Sequence, residues 1–191
     1  MKTRESGMPP EEIWQGFFDP QAILEKLGLT EQCGDVLEFG CGYGTFTIPA
    51  AKIVPGTVYA LDIDSGMLAT TAAKVDAAKL HNVELRQRDF AVEGSGLPDS
   101  SVNYVMLFNI LHANERAVFL KEAWRVLDGD GKLAVIHWNY DPSTPRGPSM
   151  SIRPHPDQCR AWAEEVGFVL LRPGLVNLPP YHYGFVFERP A

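Results

Sequence analysis

The stretch from Asp35 to Ala50, DVLEFGCGYGTFTIPA, joins a β-type run to a helical one through Gly40, Gly42 and Gly44. Glycines at such a junction permit a tight turn and let the backbone come close to a ligand. The same strand-then-helix rhythm recurs downstream. TVYALDI is β-type, and from Ser65 the apolar residues Leu68, Ala72 and Val75 return at helical spacing. VELRQRDF and VNYVMLFN read as further strands. Asn114 suits the cap of a helix whose face carries Phe119, Leu120, Trp124 and Leu127, with Gly129 closing it. KLAVIHW is a buried-type strand. Pro156 fits the first turn of another helix, with Ala161 and Trp162 inside and Gly167 past its end. FVLLRPGLVNL and YHYGFVFER, parted by Pro179 and Pro180, read as a β-pair. This alternation predicts an α/β fold with a mainly parallel sheet covered on both faces. Ligands in such sheets sit beyond the carboxyl ends of the strands, so the loops there are where function is sought.

At 191 residues the chain is expected to form one domain over 1–191, with 1–30 as an N-terminal helical segment able to serve as a lid. The formal net charge of −7 argues against a broad nucleic-acid footprint. No apolar run approaches the roughly 20 residues of a membrane span. MKTRESGMPPEE is polar and lacks the apolar core of a signal peptide, so the expected location is the cytoplasm. Cys33, Cys41 and Cys159 are scattered and odd in number, giving neither a disulfide framework nor a CxxC metal site.

The glycine turn narrows the ligand. A dinucleotide fingerprint needs G-x-G-x-x-G/A, and here the last position falls on Thr45 or Thr47. Glu38 beside the turn repels phosphate and favours a cation. A P-loop is excluded because no G-K-[ST] follows. Glu38-Phe-Gly40-Cys-Gly42-Tyr-Gly44 resembles the E/D-x-G-x-G-x-G motif of class I S-adenosylmethionine-dependent methyltransferases. Asp62 closing VYALD, Asp89 in RQRDF, YVMLFNILHA and EAWRVLDGDGKLAVIHW resemble that family's later motifs in the same order. The resemblance implies a Rossmann-like doubly wound sheet of seven strands, order 3-2-1-4-5-7-6, with the last strand antiparallel. It implies S-adenosyl-L-methionine as cofactor and in-line methyl transfer to a small-molecule acceptor, by a monomer or homodimer.

Carried onto this chain, the resemblance puts Gly40, Gly42 and Gly44 under the methionine moiety and Glu38 beside them. It gives Asp62 to the ribose hydroxyls, Ile63 and Met67 to the adenine, Asp89 to its amino group and Phe90 to its ring. Asn109 then lies at the methionine end. Acceptor residues are expected on the loops after the later strands. His112 has a pKa suited to a general base. Trp138, Tyr140, His155, Tyr181, His182 and Tyr183 are expected to wall one aromatic pocket. Trp14, Phe17 and Phe18 either fold over the cofactor or dock as a short helix. Two other functions stay open: a non-catalytic S-adenosylmethionine-binding module, and an arsenite-type metalloid methyltransferase acting through Cys33, Cys41 and Cys159. No resident metal is expected.

Overall fold

A computed structural model describes residues 9–191; the expected N-terminal segment therefore falls partly outside the described residues. Two short helices, α1 (Glu11–Gln15) and α2 (Pro20–Lys26), lead into β1 (Val36–Phe39), α3 (Thr47–Ile53), β2 (Val58–Asp62) and α4 (Ser65–Ala77). Next come β3 (Val83–Gln87), α5 (Phe90–Glu93), β4 (Val102–Phe108), α6 (Arg116–Val126) and β5 (Leu127–Trp138). The chain continues through α7 (Pro156–Val166), β6 (Val169–Leu170), β7 (Val176–Leu178) and β8 (His182–Glu188). The strands form one sheet in the order β3-β2-β1-β4-β5-β8-β6, with β7 also paired to β8. β3 to β5 run parallel, and β8 lies antiparallel between β5 and β6.

Burial explains the assignment. β1 (VLEF) and the body of β4 are buried without alternation because helices cover both faces of the sheet. On one face Phe119, Leu120 and Ala123 of α6 and Ala163 of α7 pack with Leu37, Leu107, Val135 and Phe185. On the other, Ile23 and Leu24 of α2 and Ala50 of α3 pack with Val36, Met106 and Ile136. Each large side chain so buried stabilises the fold by about 1.5–3 kcal/mol.

Four local expectations are corrected. Helix α6 begins at Arg116 with Glu115, not Asn114, at its N-cap, and no side chain caps it. It ends at Val126, and the chain passes directly into β5 through Gly129, because Leu127 already pairs with Val102. The inner face of α7 is Cys159 and Ala163; Ala161 is exposed, and Trp162 is half-buried beneath the Arg116 guanidinium at 4.2 Å. The run FVLLRPGLVNL is two short strands rather than one, since the chain turns at 171–175 and rejoins β8 further along.

Candidate functional site

The glycine turn occupies the switch point of the sheet, where β1 lies between β2 and β4. Gly40, Gly42 and Gly44 have φ of 74°, 52° and 72°, values that side-chain-bearing residues rarely adopt. At Gly44 a Cβ would also lie 2.8 Å from the Thr71 methyl. The turn is fixed from beneath. Asp62 accepts from Gly42 N and from Asp64 N, both at 2.9 Å, and Thr71 Oγ1 donates to Gly42 O at 2.9 Å. Asp62 is thus a brace for the turn, each oxygen holding one backbone N–H and retaining a second lone pair for a further donor.

Glu38 is buried at the end of β1, where Thr47 Oγ1 donates to it at 2.5 Å. Burial pushes its carboxyl up to about 8; the Thr47 bond opposes this, and the neighbouring Asp62 charge adds to it. A carboxyl kept neutral this way becomes a charge when a cation arrives beside it. Asn109 follows β4 with φ 58°, unusual for a non-glycine residue, and its amide nitrogen and oxygen are buried without a hydrogen-bond partner. An orphaned amide, a buried acid and a turn of backbone N–H groups with no basic side chain in it fit a zwitterionic, cationic ligand such as S-adenosylmethionine. They do not fit a phosphate.

The adenine-end residues are distributed as follows. Met67 sits in the first turn of α4, where Asp64 Oδ1 accepts from its N–H, and Ile63 lies half-buried just before that helix. Asp89 holds the N-cap position of α5, its N–H donating to Glu93 at 3.0 Å. Phe90 is committed to packing, with ring centroids 5.2 Å from Phe39 and 5.1 Å from Phe119.

The expected acceptor residues divide between two faces of the sheet. Trp138 is 2 % exposed, and its ring lies 5.3 Å from Phe17, 6.4 Å from Tyr181 and 4.2 Å from His182. Tyr183 faces the other way, as strand alternation requires. Its hydroxyl donates to Pro154 O at 3.0 Å and lies 3.3 Å from Cys159 Sγ, in the layer of α6 and α7. The single wall expected from 181–183 is therefore corrected to Tyr181 and His182. Tyr140 and His155 stack on each other at 3.4 Å and stand exposed at the rim.

His112 meets a residue that the sequence reading passed over. Trp138 N–H donates to His137 Nδ1 at 3.0 Å, so that nitrogen is bare and the proton of the neutral ring is on Nε2. Nε2 lies 3.3 Å from His112 Nδ1, which must accept. Burial, before any other cause, holds His137 well below the usual imidazole range. A neutral His112 therefore carries its own proton on Nε2, while its acceptor nitrogen is engaged. This arrangement disfavours it as a base. A titratable residue inside the apolar run KLAVIHW was the available signal for His137.

Arg153 was also missed, and nothing in its local sequence marks it. It is 7 % exposed and organises the loop after β5. It donates to the carbonyls of Pro148 (3.0 Å), Asn139 (3.1 Å), Asp141 (3.0 Å) and Arg146 (3.1 Å), and to Thr144 Oγ1.

Over this edge lies the N-terminal segment. Trp14 Nε1 donates to Thr45 Oγ1 at 3.1 Å, and Tyr43 OH donates to Pro9 O at 3.1 Å. Lys74 of α4 pairs with Glu11 and donates to Tyr43 O. Phe18 reaches Phe46 and His182, with centroids at 5.3 and 4.4 Å. The segment is thus tied to residues flanking Gly44 on one side and to the end of β5 on the other.

Residues 36–131 match a family model described as a methyltransferase domain. Demethylmenaquinone methyltransferase from Listeria welshimeri is 33% identical over 118 residues, covering 58% of this chain and 48% of that protein. An uncharacterized methyltransferase-like protein of Schizosaccharomyces pombe is 34% identical over 113 residues, 58% of this chain and 40% of that one. The chain thus spans about half or less of the length of these curated relatives. Among solved structures, a SAM-dependent methyltransferase from Aquifex aeolicus superposes with a TM-score of 0.81 at 26% identity, covering 95% of this chain and 99% of that one. The cyclase SpnF, at 14% identity and a TM-score of 0.76, shares the fold.

Proposed function

The chain belongs to the S-adenosylmethionine-dependent methyltransferase family, and from that premise we propose that it moves a methyl group to a small, flat, partly apolar acceptor by in-line displacement. The observation that carries this is the conjunction at the switch point: a buried Glu38 beside three left-handed glycines, with the unpartnered amide of Asn109 on the next strand. S-adenosylmethionine supplies an electrophilic methyl on a cationic sulfur when bound. The chain's own residues do the rest. Glu38 lends negative potential, Asp62 holds the turn and offers its remaining lone pairs to the ribose, and Asn109 completes its hydrogen bonds on the methionine end. Ile63, Met67 and Asp89 serve the adenine end. Positioning and exclusion of water account for the acceleration.

His112 has no base role in this reading, because its Nδ1 is engaged by the His137 contact. The acceptor's own lone pair would attack the methyl as its carbon–sulfur bond breaks, and any proton that the acceptor carries would pass to solvent water once transfer is complete. The aromatic wall of Trp138, Tyr181 and Phe17 favours a ring, and the name of one group of relatives, demethylmenaquinone methyltransferase, points the same way. Acidity favours a small acceptor over nucleic acid, with the chain working as one domain, as monomer or homodimer, in the cytoplasm. Among the described residues no helix is long and apolar enough to cross a membrane. The thiolate alternative gains no support: burial pushes the Cys41 thiol far up and the Cys159 thiol up to about 12, so neither is a ready nucleophile.

The test is transfer of labelled methyl from S-adenosylmethionine to a panel of phenols, naphthols, amines and thiols. Incorporation into at least one ring acceptor is expected. Tight binding of S-adenosylhomocysteine with no incorporation into any acceptor would instead mark a binding module.

A further inference from the structure

Two side chains have buried polar atoms without any hydrogen-bond partner among the described residues, Asn109 and His182. Roughly nine in ten buried polar groups are paired in folded proteins, and the exceptions call for an explanation. Asn109 is accounted for above. His182 is not. It stands opposite Trp138 in the β5–β8 ladder, at the carboxyl end of β5. Its imidazole is wholly buried, 4.4 Å from the Phe18 ring and 4.2 Å from Trp138. A phenyl ring would fill this space without desolvating two ring nitrogens, so packing does not call for an imidazole. Phe18 lies between α1 and α2, outside the sheet, so that side of the imidazole is covered by a residue that takes no part in the ladder. His182 also lies beyond residues 36–131, in the part of the chain that the family model leaves uncovered.

We propose that His182 is the polar contact of the methyl acceptor, and that the acceptor is a neutral aromatic ring bearing a hydroxyl group, seated against Trp138 where Phe18 now lies. The proposal rests on the methyl-transfer reading above. A neutral imidazole offers one donor and one acceptor, and a phenolic hydroxyl is both. Burial and the Arg153 charge push His182 down to about 3, so it stays neutral and gives a carboxylate no cationic partner. The surrounding rings of Phe17, Phe18, Trp138 and Tyr181 supply apolar area and no ionised group.

The experiment titrates protein saturated with S-adenosylhomocysteine with 1-naphthol and, in parallel, with naphthalene. Ring nitrogens are observed by ¹⁵N-histidine labelling, and affinity by quenching of tryptophan emission. 1-Naphthol should shift the His182 nitrogens and bind about tenfold or more tighter than naphthalene, the equivalent of one good hydrogen bond. His182→Phe should melt higher, keep its S-adenosylhomocysteine affinity, and bind the two probes equally. His182→Gln, with donor and acceptor restored, should recover part of the preference. If the phenylalanine variant does not fold, the shift in the wild type and the glutamine variant decide. Naphthol binding unchanged in His182→Phe, or no naphthol binding by the loaded wild type, overturns the proposal. A wild type that holds naphthol through His182 yet passes no labelled methyl to any acceptor leaves this contact standing and removes the methyl-transfer reading instead.

Discussion

Glu38 is a residue whose ionisation the fold moves across neutral pH. Its folded pKa of about 8 exceeds the ordinary 4.5. Between those values the folded chain keeps a proton that the unfolded chain has lost, so stability falls as pH rises from about 4.5 through about 8. The total is on the order of several kcal/mol. Glu38→Gln should flatten that slope, and melting curves from pH 5 to 9 will show it. Binding of cationic S-adenosylmethionine should pull the same pKa down and release a proton. Calorimetry in buffers of different ionisation enthalpy should find release near pH 7 in the wild type and none in Glu38→Gln; equal counts would remove Glu38 from the cofactor site. Asp62 carries a different expectation. Because it braces Gly42 N and Asp64 N, Asp62→Ala should cost about 1–3 kcal/mol of stability in addition to cofactor affinity. Denaturant unfolding of the cofactor-free protein separates the two. The acid at the end of the second strand was legible in VYALD. Its bonds to the turn were not, since they depend on where β2 lies beside β1.

At the scale of elements, the N-terminal segment is held by several weak contacts and the loop after β5 largely by one residue. Helix α1 buries no side chain and is fastened through Lys74, Trp14 and Tyr43. Half-exposed ion pairs are worth about 0.2–1 kcal/mol, so Lys74→Ala should leave global stability almost unchanged. Hydrogen exchange at 11–18 should accelerate by roughly two- to fivefold, the kinetic equivalent of that energy. Exchange that stays at the wild-type rate would show that Lys74 does not fasten the segment. Arg153 is the opposite case. A buried guanidinium spread over four carbonyls cannot be replaced by a point charge. Arg153→Lys should cost about 2–4 kcal/mol and shift Trp138 emission, as the loop that Arg153 ties together loosens. Strand and helix order was readable because short continuous apolar runs and spacings of three and four residues survive in the sequence. The long loop was readable only as a loop, because Arg153 acts through carbonyls that every residue possesses. The division of Tyr183 from His182 follows from a period of two, yet which face each takes depends on a partner strand about 45 residues earlier.

The whole molecule couples cofactor site and fold through the sheet. Binding of S-adenosylhomocysteine at 100 times its Kd should stabilise the native state by about 2.7 kcal/mol, or roughly 5–10 °C in Tm for a chain of this length. A flat melting temperature at that concentration would mean that S-adenosylhomocysteine does not bind the native state selectively. The antiparallel β8 has a consequence for synthesis. β5 is the longest strand, and its outer edge is completed by residues 182–188, which the ribosome makes some fifty residues later. Until they emerge, a nascent chain carries a long apolar edge of unpaired N–H and C=O groups, open to pairing with another copy. The half of the sheet that holds the glycine turn can be complete while the protein is still being translated. The half that holds His182 closes only once residues 182–188 have emerged, and any holding chaperone has its task in that interval.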